Sequence, residues 1–147
     1  MKLFFTTDSE QARDTTKITT HPDKQTSWQE MERALSQRKQ LTVINAKNDR
    51  HVKLELQQVV AIETEGSMCN VQTLDGAMFL LNQRLKSVNE ALANTRVMQI
   101  NNQVMVNLDH VTQFVSASNA RIELHLPNQL KYYVSRHYLK QFRRNFL

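Results

Sequence analysis

Residues Met98–Val111 read M-Q-I-N-N-Q-V-M-V-N-L-D-H-V: a run of side-chain amides, Asn101-Asn102-Gln103, feeds directly into an apolar segment, Val104-Met105-Val106, that stops at Asn107. Side-chain amides suit turns and hydrogen bonding better than helix interiors, and a short apolar run bounded by polar residues suits a buried strand. The stretch therefore predicts a presented loop at the mouth of a buried strand, and with it a β protein whose exposed loops are held by its sheets. Two roles fit such a loop, a solvated turn and a surface that touches a partner.

Downstream, Val111–Ala117 and Arg121–Leu126 are predicted strands joined across Ser118-Asn119, the second alternating Ile122, Leu124, Leu126 with Arg121, Glu123, His125. Pro127-Asn128-Gln129 then turns the chain into a strand over Leu130–Val134. Ser135 stands where a hydroxyl can cap a terminal helix. In that helix Leu139, Phe142 and Phe146 share one stripe, with Arg136, Lys140, Arg143 and Arg144 about 100° away. Lys131 to Leu147 holds five Lys/Arg and no acid, which suits a solvated face or an anion-binding edge.

Upstream, a helix from about Gln83 to Ala93 follows from Leu81, Leu85, Val88 and Leu92 on one face. Before it, Asp75-Gly76 marks a hairpin between Met68–Leu74 and Ala77–Leu81. Glu63–Ser67 reads as a polar loop, Val59–Ile62 as a fully buried strand, and Val52–Leu56 and Leu41–Asn45 as further strands. The fold class is mainly β (α+β), packed small antiparallel sheets with short helices over residues 41–147. Residues 1–40 form a small N-terminal β/α segment. It has strands expected at Lys2–Thr7 and Thr15–Thr20, a break at His21-Pro22-Asp23-Lys24, and a capping box at Ser27-Trp28-Gln29-Glu30. The box opens a helix toward Lys39 with Trp28, Met31 and Leu35 on one face. So few elements make a poor core, so the segment is expected to pack on the rest or on a second copy, as a dimerisation or signal-receiving part.

At 147 residues, 40% hydrophobic and 22% charged, the chain has the composition of an ordinary globular protein with one core. A net charge of +5 and a pI near 9.6 favour an anionic partner. Cys69 is the single cysteine, so no internal disulfide forms, and burial as a small hydrophobe is its expected fate. No stretch approaches the roughly 20 apolar residues of a membrane span, and M-K-L-F-F-T-T-D lacks the pattern of a signal peptide. A cytoplasmic setting is expected. His21, His51, His110, His125 and His137 show no pair at metal-ligand spacing, and Gly66 and Gly76 build no phosphate-cradling loop. No catalytic residue, metal or cofactor is therefore expected. Tyr132, Tyr133 and Phe114 offer stacking faces to an RNA-binding or protein-docking module, but they fall at core-like positions without an aromatic-glycine signature.

The succession V-V-A-I-E-T-E-G (59–66), T-L-D-G (73–76), L-N-Q-R-L-K-S-V (81–88), V-M-Q-I-N-N-Q-V-M-V-N-L-D-H-V (97–111) and V-S-R-H-Y-L-K-Q-F (134–142) resembles the LytTR DNA-binding domain of bacterial transcription regulators. The resemblance spans residues 41–147, with the short N-terminal segment in place of a receiver, as in the stand-alone branch. It implies small packed sheets that insert loops into successive major grooves. It also implies a sequence-specific, double-stranded DNA-binding regulator on repeated operator elements, a homodimer, and an inhibitory membrane protein encoded nearby.

Family roles carry onto Asn102 in the loop and Arg136 in V-S-R, as base or phosphate contacts. A third position falls at Met68, where a polar residue or histidine is usual; methionine there suits a thymine methyl, or else Ser67 or the backbone makes the contact. Asn101 is a second departure, histidine being commoner in the family. With their neighbours, the expected DNA-binding residues are Ser67, Met68, Asn101, Asn102, Gln103, Ser135, Arg136, His137, Lys140, Arg143 and Arg144.

Overall fold

The unbroken apolar run Val59-Val60-Ala61-Ile62 leaves no polar side for solvent, and in the computed structural model all four residues are fully buried. The structure describes residues 2–13, 15–36 and 39–146. Helix α1 (Trp28–Ser36) comes first, followed by strands β1 (Gln40–Asn45), β2 (Arg50–Glu55), β3 (Val59–Glu65), β4 (Met68–Thr73) and β5 (Met78–Leu81). Helix α2 (Leu85–Ala91) leads to β6 (Val97–Gln99), β7 (Val104–Asn107), β8 (Gln113–Ser116), β9 (Ile122–Leu126) and β10 (Leu130–Val134), and α3 (Leu139–Phe146) ends the chain. The fold is mostly β, as the sequence indicated. Two antiparallel sheets form, a seven-stranded one in the order β2-β1-β5-β4-β3-β7-β6 and a three-stranded one in the order β10-β9-β8.

Strand β3 is buried twice because the large sheet is covered on both sides. On one face Val43, Leu54, Ile62, Val71, Leu81 and Met105 pack beneath Leu85, Val88 and Leu92 of the α2 region, the stripe read from their spacing. On the other, Ala61, Met98 and Val106 pack against Ile122, Leu124, Leu126 and Val134 of the small sheet and Phe142 of α3. Cys69 lies in the first of these cores, where burial pushes its thiol up and keeps it protonated.

Turn chemistry follows the glycines. Leu74-Asp75-Gly76 closes the β4–β5 hairpin, with Gly76 at φ +82° and its N–H bonded to the Thr73 carbonyl at 3.1 Å. The expected five-residue loop Glu63–Ser67 is shorter than anticipated. Glu65 pairs with Met68, leaving only Gly66-Ser67 as the turn, and Gly66 at φ +61° supplies the left-handed first position of a II′-type hairpin. Strand β6 was not anticipated, because three residues are too few to display a period; it forms because Met98 pairs opposite Val106 on β7.

The N-terminal expectations are corrected more deeply. Neither Lys2–Thr7 nor Thr15–Thr20 forms a strand, and nearly all of these residues are exposed. A β-branched segment has strand propensity only in so far as a ladder neighbour satisfies its backbone, and here it pairs with none. The break expected at His21–Lys24 instead starts a 3₁₀ turn, Pro22–Ser27, that runs into α1. Its cap is His21, whose Nδ1 accepts from the Asp23 N–H at 3.2 Å, with Pro22 in the position that needs no donor. Helical geometry is therefore established before the Ser27 box. Along α1, Trp28 and Leu35 remain exposed and Met31 half-buried. Residues 37 and 38, toward the expected helix end, lie outside the described residues. Among the described residues no helix is long and apolar enough to cross a membrane.

Asn107 ties the large sheet together where β7 ends. Only 3% exposed, it donates from Nδ2 to the carbonyls of Leu56 (3.3 Å) and Val59 (3.1 Å) and accepts the Asp109 N–H at 3.1 Å. Asn107→Ala should therefore lower unfolding free energy by about 2–4 kcal/mol in urea titrations, whereas the exposed Thr42→Ala stays within about 0.5 kcal/mol of wild type. Equal midpoints for the two variants would contradict the bracing role.

Candidate nucleic-acid interface

Strands β3 and β7 pair through Glu63 and Val104, so the end of β3 lies beside the start of β7. The amide loop ahead of β7 is drawn to that end by the Thr64 N–H, which donates to the Gln103 carbonyl at 2.8 Å. From the other side β10 approaches, and the Ser135 N–H donates to the Ile100 carbonyl at 2.9 Å. One rim thus unites three segments far apart in the chain: the Gly66-Ser67 turn with Met68, the loop Asn101–Gln103, and the junction Ser135–His137 leading into α3. Ser67, Asn102, Gln103, Arg136 and His137 are exposed on it, while Met68, Asn101 and Ser135 are half-buried.

The two asparagines of the loop are used differently. Asn101 Nδ2 donates to the Tyr133 carbonyl at 3.0 Å, and its Oδ1 accepts the Gln103 N–H at 2.8 Å, an Asx turn that shapes the loop and fastens it to β10. Both ends of that amide are committed to backbone. Asn102 instead is exposed, its Oδ1 accepting from the Tyr138 hydroxyl at 3.2 Å, so that the donors it can offer a partner are its amide N–H groups.

The junction departs from the expected cap. Arg136–Tyr138 form a 3₁₀ turn before α3, and the Ser135 side chain makes no capping bond; the Tyr138 N–H bonds to the Ser135 backbone carbonyl at 2.9 Å. The tight turn satisfies through the backbone what the hydroxyl was expected to satisfy. In α3, Phe142 is fully buried with Leu139 and Phe146 packed around it, and Lys140, Arg143 and Arg144 are exposed as a group.

Between the amide loop and β10 lies a cleft of about 560 Å³ lined by Asn102, Gln103, Arg121, Lys131 and Tyr133 among others. Arg121 and Lys131 are absent from the sequence-derived set. Lys131 was detectable as an outward position alternating with the inward residues of β10. Arg121 was not, because it reaches the cleft by stacking on Tyr133, its guanidinium carbon 4.8 Å from the ring centroid. Two aromatics expected in the core prove exposed, Phe114 at 44% and Tyr133 at 41%. Phe114 sits edge-on to Phe146, the centroids 5.2 Å apart.

Tyr132 behaves otherwise. It lines the cleft half-buried and donates to Glu63 Oε1, while Gln72 Nε2 donates to its hydroxyl at 3.2 Å. Burial first, and then the Glu63 carboxylate, push the Tyr132 hydroxyl far above its usual range, so it remains a protonated donor locking β10 to β3.

A family model for the LytTr DNA-binding domain matches residues 49–146. A solved LytTr DNA-binding domain from Bacillus cereus, from a protein described as a methyl-accepting/DNA response regulator, superposes with a TM-score of 0.64 at 16% identity, covering 71% of this chain and 94% of that one. At that identity the likeness speaks for the fold. No curated protein matches the chain.

The division of labour between the asparagines has a direct test in the free protein. Asn101→Ala, which removes both side-chain bonds of Asn101, should cost about 1–2 kcal/mol of unfolding free energy, while Asn102→Ala stays within about 0.5 kcal/mol. Denaturant titration of the two variants decides it, and the reverse order would mean that the loop is held by Asn102.

Proposed function

The chain belongs to the LytTR DNA-binding domain family, and on that footing we propose that it is a sequence-specific transcription regulator reading the major groove of duplex DNA with loops held at strand ends. The family membership makes residues 49–146 a DNA-binding domain and DNA its partner. The single observation that carries the finer reading is the bonding of the 64–68 turn, the 101–103 loop and the 135–137 junction into one rim that continues into the exposed basic face of α3. Base edges are read by groups fixed in register, and the affinity comes from cations on phosphate.

In this reading Asn102 offers its amide donors to acceptors on a base edge, and Arg136 offers a planar fork to guanine O6 and N7. Lys140, Arg143 and Arg144 bind phosphates. Met68 supplies an apolar contact beside Ser67, and Asn101 shapes the loop. Gln103, Ser135 and His137 lie close enough to contact the same duplex.

The N-terminal segment serves pairing on DNA. Phe4 and Phe5 are 87% and 90% exposed, and Trp28 and Leu35 on α1 are 48% and 56% exposed. A nine-residue helix offers less than the roughly 800 Å² per partner of a stable interface, so pairing is expected where a repeated operator raises the local concentration.

Selecting the preferred duplex from a random pool with the full chain supplies the probe, and competition by random duplex and single strands separates this function from an RNA-binding or docking module. Asn102→Ala and Arg136→Ala should each cost about 1–3 kcal/mol on the preferred duplex and much less on random duplex. Lys140→Ala should weaken both about equally and flatten the log–log salt dependence by about one unit. An Arg136 variant behaving like Lys140→Ala would assign Arg136 to phosphate. No loss with Asn102→Ala would remove the loop from the site. For pairing, sedimentation on a two-element duplex should show cooperative loading by wild type and independent loading by Trp28→Ser/Leu35→Ser; identical loading by both would overturn the N-terminal role.

A further inference from the structure

Helix α1 lies ahead of residue 49, where the family match begins, yet it is fastened to the last helix of the domain. Arg33 Nη2 donates to Asn145 Oδ1 at 2.9 Å. The backbone carbonyl of the same Asn145 accepts Arg96 Nη1 at 2.8 Å, and its Nδ2 donates to the Gln141 carbonyl at 2.9 Å. Arg96 is held in turn by Asp109 at 2.9 Å. Asn145 is therefore gripped by two guanidinium groups, one from the N-terminal segment and one from the residue preceding β6. Both stand at the carbonyl end of α3, where cations complement the helix dipole.

That grip matters because α3 is weak by itself. Eight residues are too few for an independent helix, and Lys140 repels Arg143 and Arg144 three and four positions on. The apolar stripe of Leu139, Phe142 and Phe146 holds one side of the helix to the core. At about 100° per residue, Asn145 lies about 150° around α3 from the middle of the basic set, so a bond there fixes the roll that decides where the cations point. On α1, by the same rotation, Arg33 lies about 170° from the middle of the Trp28, Met31 and Leu35 stripe. The helix thus bonds to the domain through Arg33 on its polar side, with Trp28 and Leu35 exposed on the other.

We infer that Arg33 is a positioning residue for DNA binding: through Asn145 it sets how α3 presents Lys140, Arg143 and Arg144, so that the N-terminal segment governs the grip of the domain on phosphate. This rests on the DNA-binding role proposed above.

The test uses the full chain on its selected duplex and on random duplex at three salt concentrations, with hydrogen exchange of the α3 amides measured in parallel. Arg33→Ala should weaken both duplexes about three- to tenfold, flatten the salt dependence and speed exchange in α3, while leaving the ratio between duplexes unchanged. Arg33→Lys, which keeps a donor for Asn145 Oδ1, should recover part of the affinity. Arg33→Ala combined with Asn145→Ala should bind no worse than the weaker single variant, because each already removes the bond between them. Additive losses in the double variant would make Arg33 a direct phosphate contact and overturn the inference. So would wild-type affinity and salt slope in Arg33→Ala. If the wild-type chain prefers no duplex, the proposed function falls and the inference with it. If it does prefer one and α3 exchange is unchanged in Arg33→Ala, the inference falls alone.

Discussion

Burial of one strand on both faces is the constraint from which the rest of the structure follows. With Val59, Val60, Ala61 and Ile62 all out of solvent, β3 must be covered from two sides, and the two cores are built back to back upon it. Its partner β7 is equally apolar on both faces, Met105 joining one core and Val106 the other. The apolar core of the small sheet rests on β3, β7 and β6, and the Ser135 N–H just after β10 bonds to the Ile100 carbonyl beside β7. The loop before β7 and the junction after β10 consequently meet. A site made of loops acquires the rigidity of the cores beneath it.

Polar side chains then bond the two sheets to each other. Tyr132 on β10 reaches Glu63 on β3 and Gln72 on β4, and Asn128, left-handed at φ +63°, donates to the carbonyls of Thr73 (3.2 Å) and Leu74 (3.3 Å) at the neighbouring hairpin. Such bonds add little net energy in an exposed setting, but each defines one relative placement of two apolar surfaces that would otherwise slide. The cleft lined by Arg121, Lys131 and Tyr133 lies beside the amide loop, between it and β10.

The N-terminal segment shows the limit of local propensity. Thr15–Thr20 and Lys2–Thr7 have the composition of strands, but strand formation depends on a neighbour to complete the backbone hydrogen bonds, and none adjoins them in the single chain. Helix α1 needed no such neighbour, since its backbone bonds close within the segment, and it covers Trp28–Ser36 of the span expected to reach Lys39. Its attachment to α3 through Arg33 was invisible to any local pattern, because 112 residues separate the bonded pair.

What the sequence determined by itself was everything carried by short-range pattern. That includes the alternation of Ile122, Leu124 and Leu126, the stripe of α2, the Asp75-Gly76 hairpin, the doubly buried β3, the presented loop ahead of β7 and the basic face of α3. In each the side-chain period or the turn chemistry lies within a few residues and survives any arrangement of the rest. Tertiary structure alone decided how the polar groups are spent. It turned Asn101 inward to backbone carbonyl and amide groups and left Asn102 facing out, though the two are adjacent and chemically identical. It made the hydroxyl of Ser135 unnecessary as a cap, brought Arg121 over Tyr133, and gave Asn145 to Arg33 and Arg96. A hydrogen bond goes to whichever partner packing delivers, and packing is settled by where two apolar cores close around β3, not by the order of neighbours along the chain.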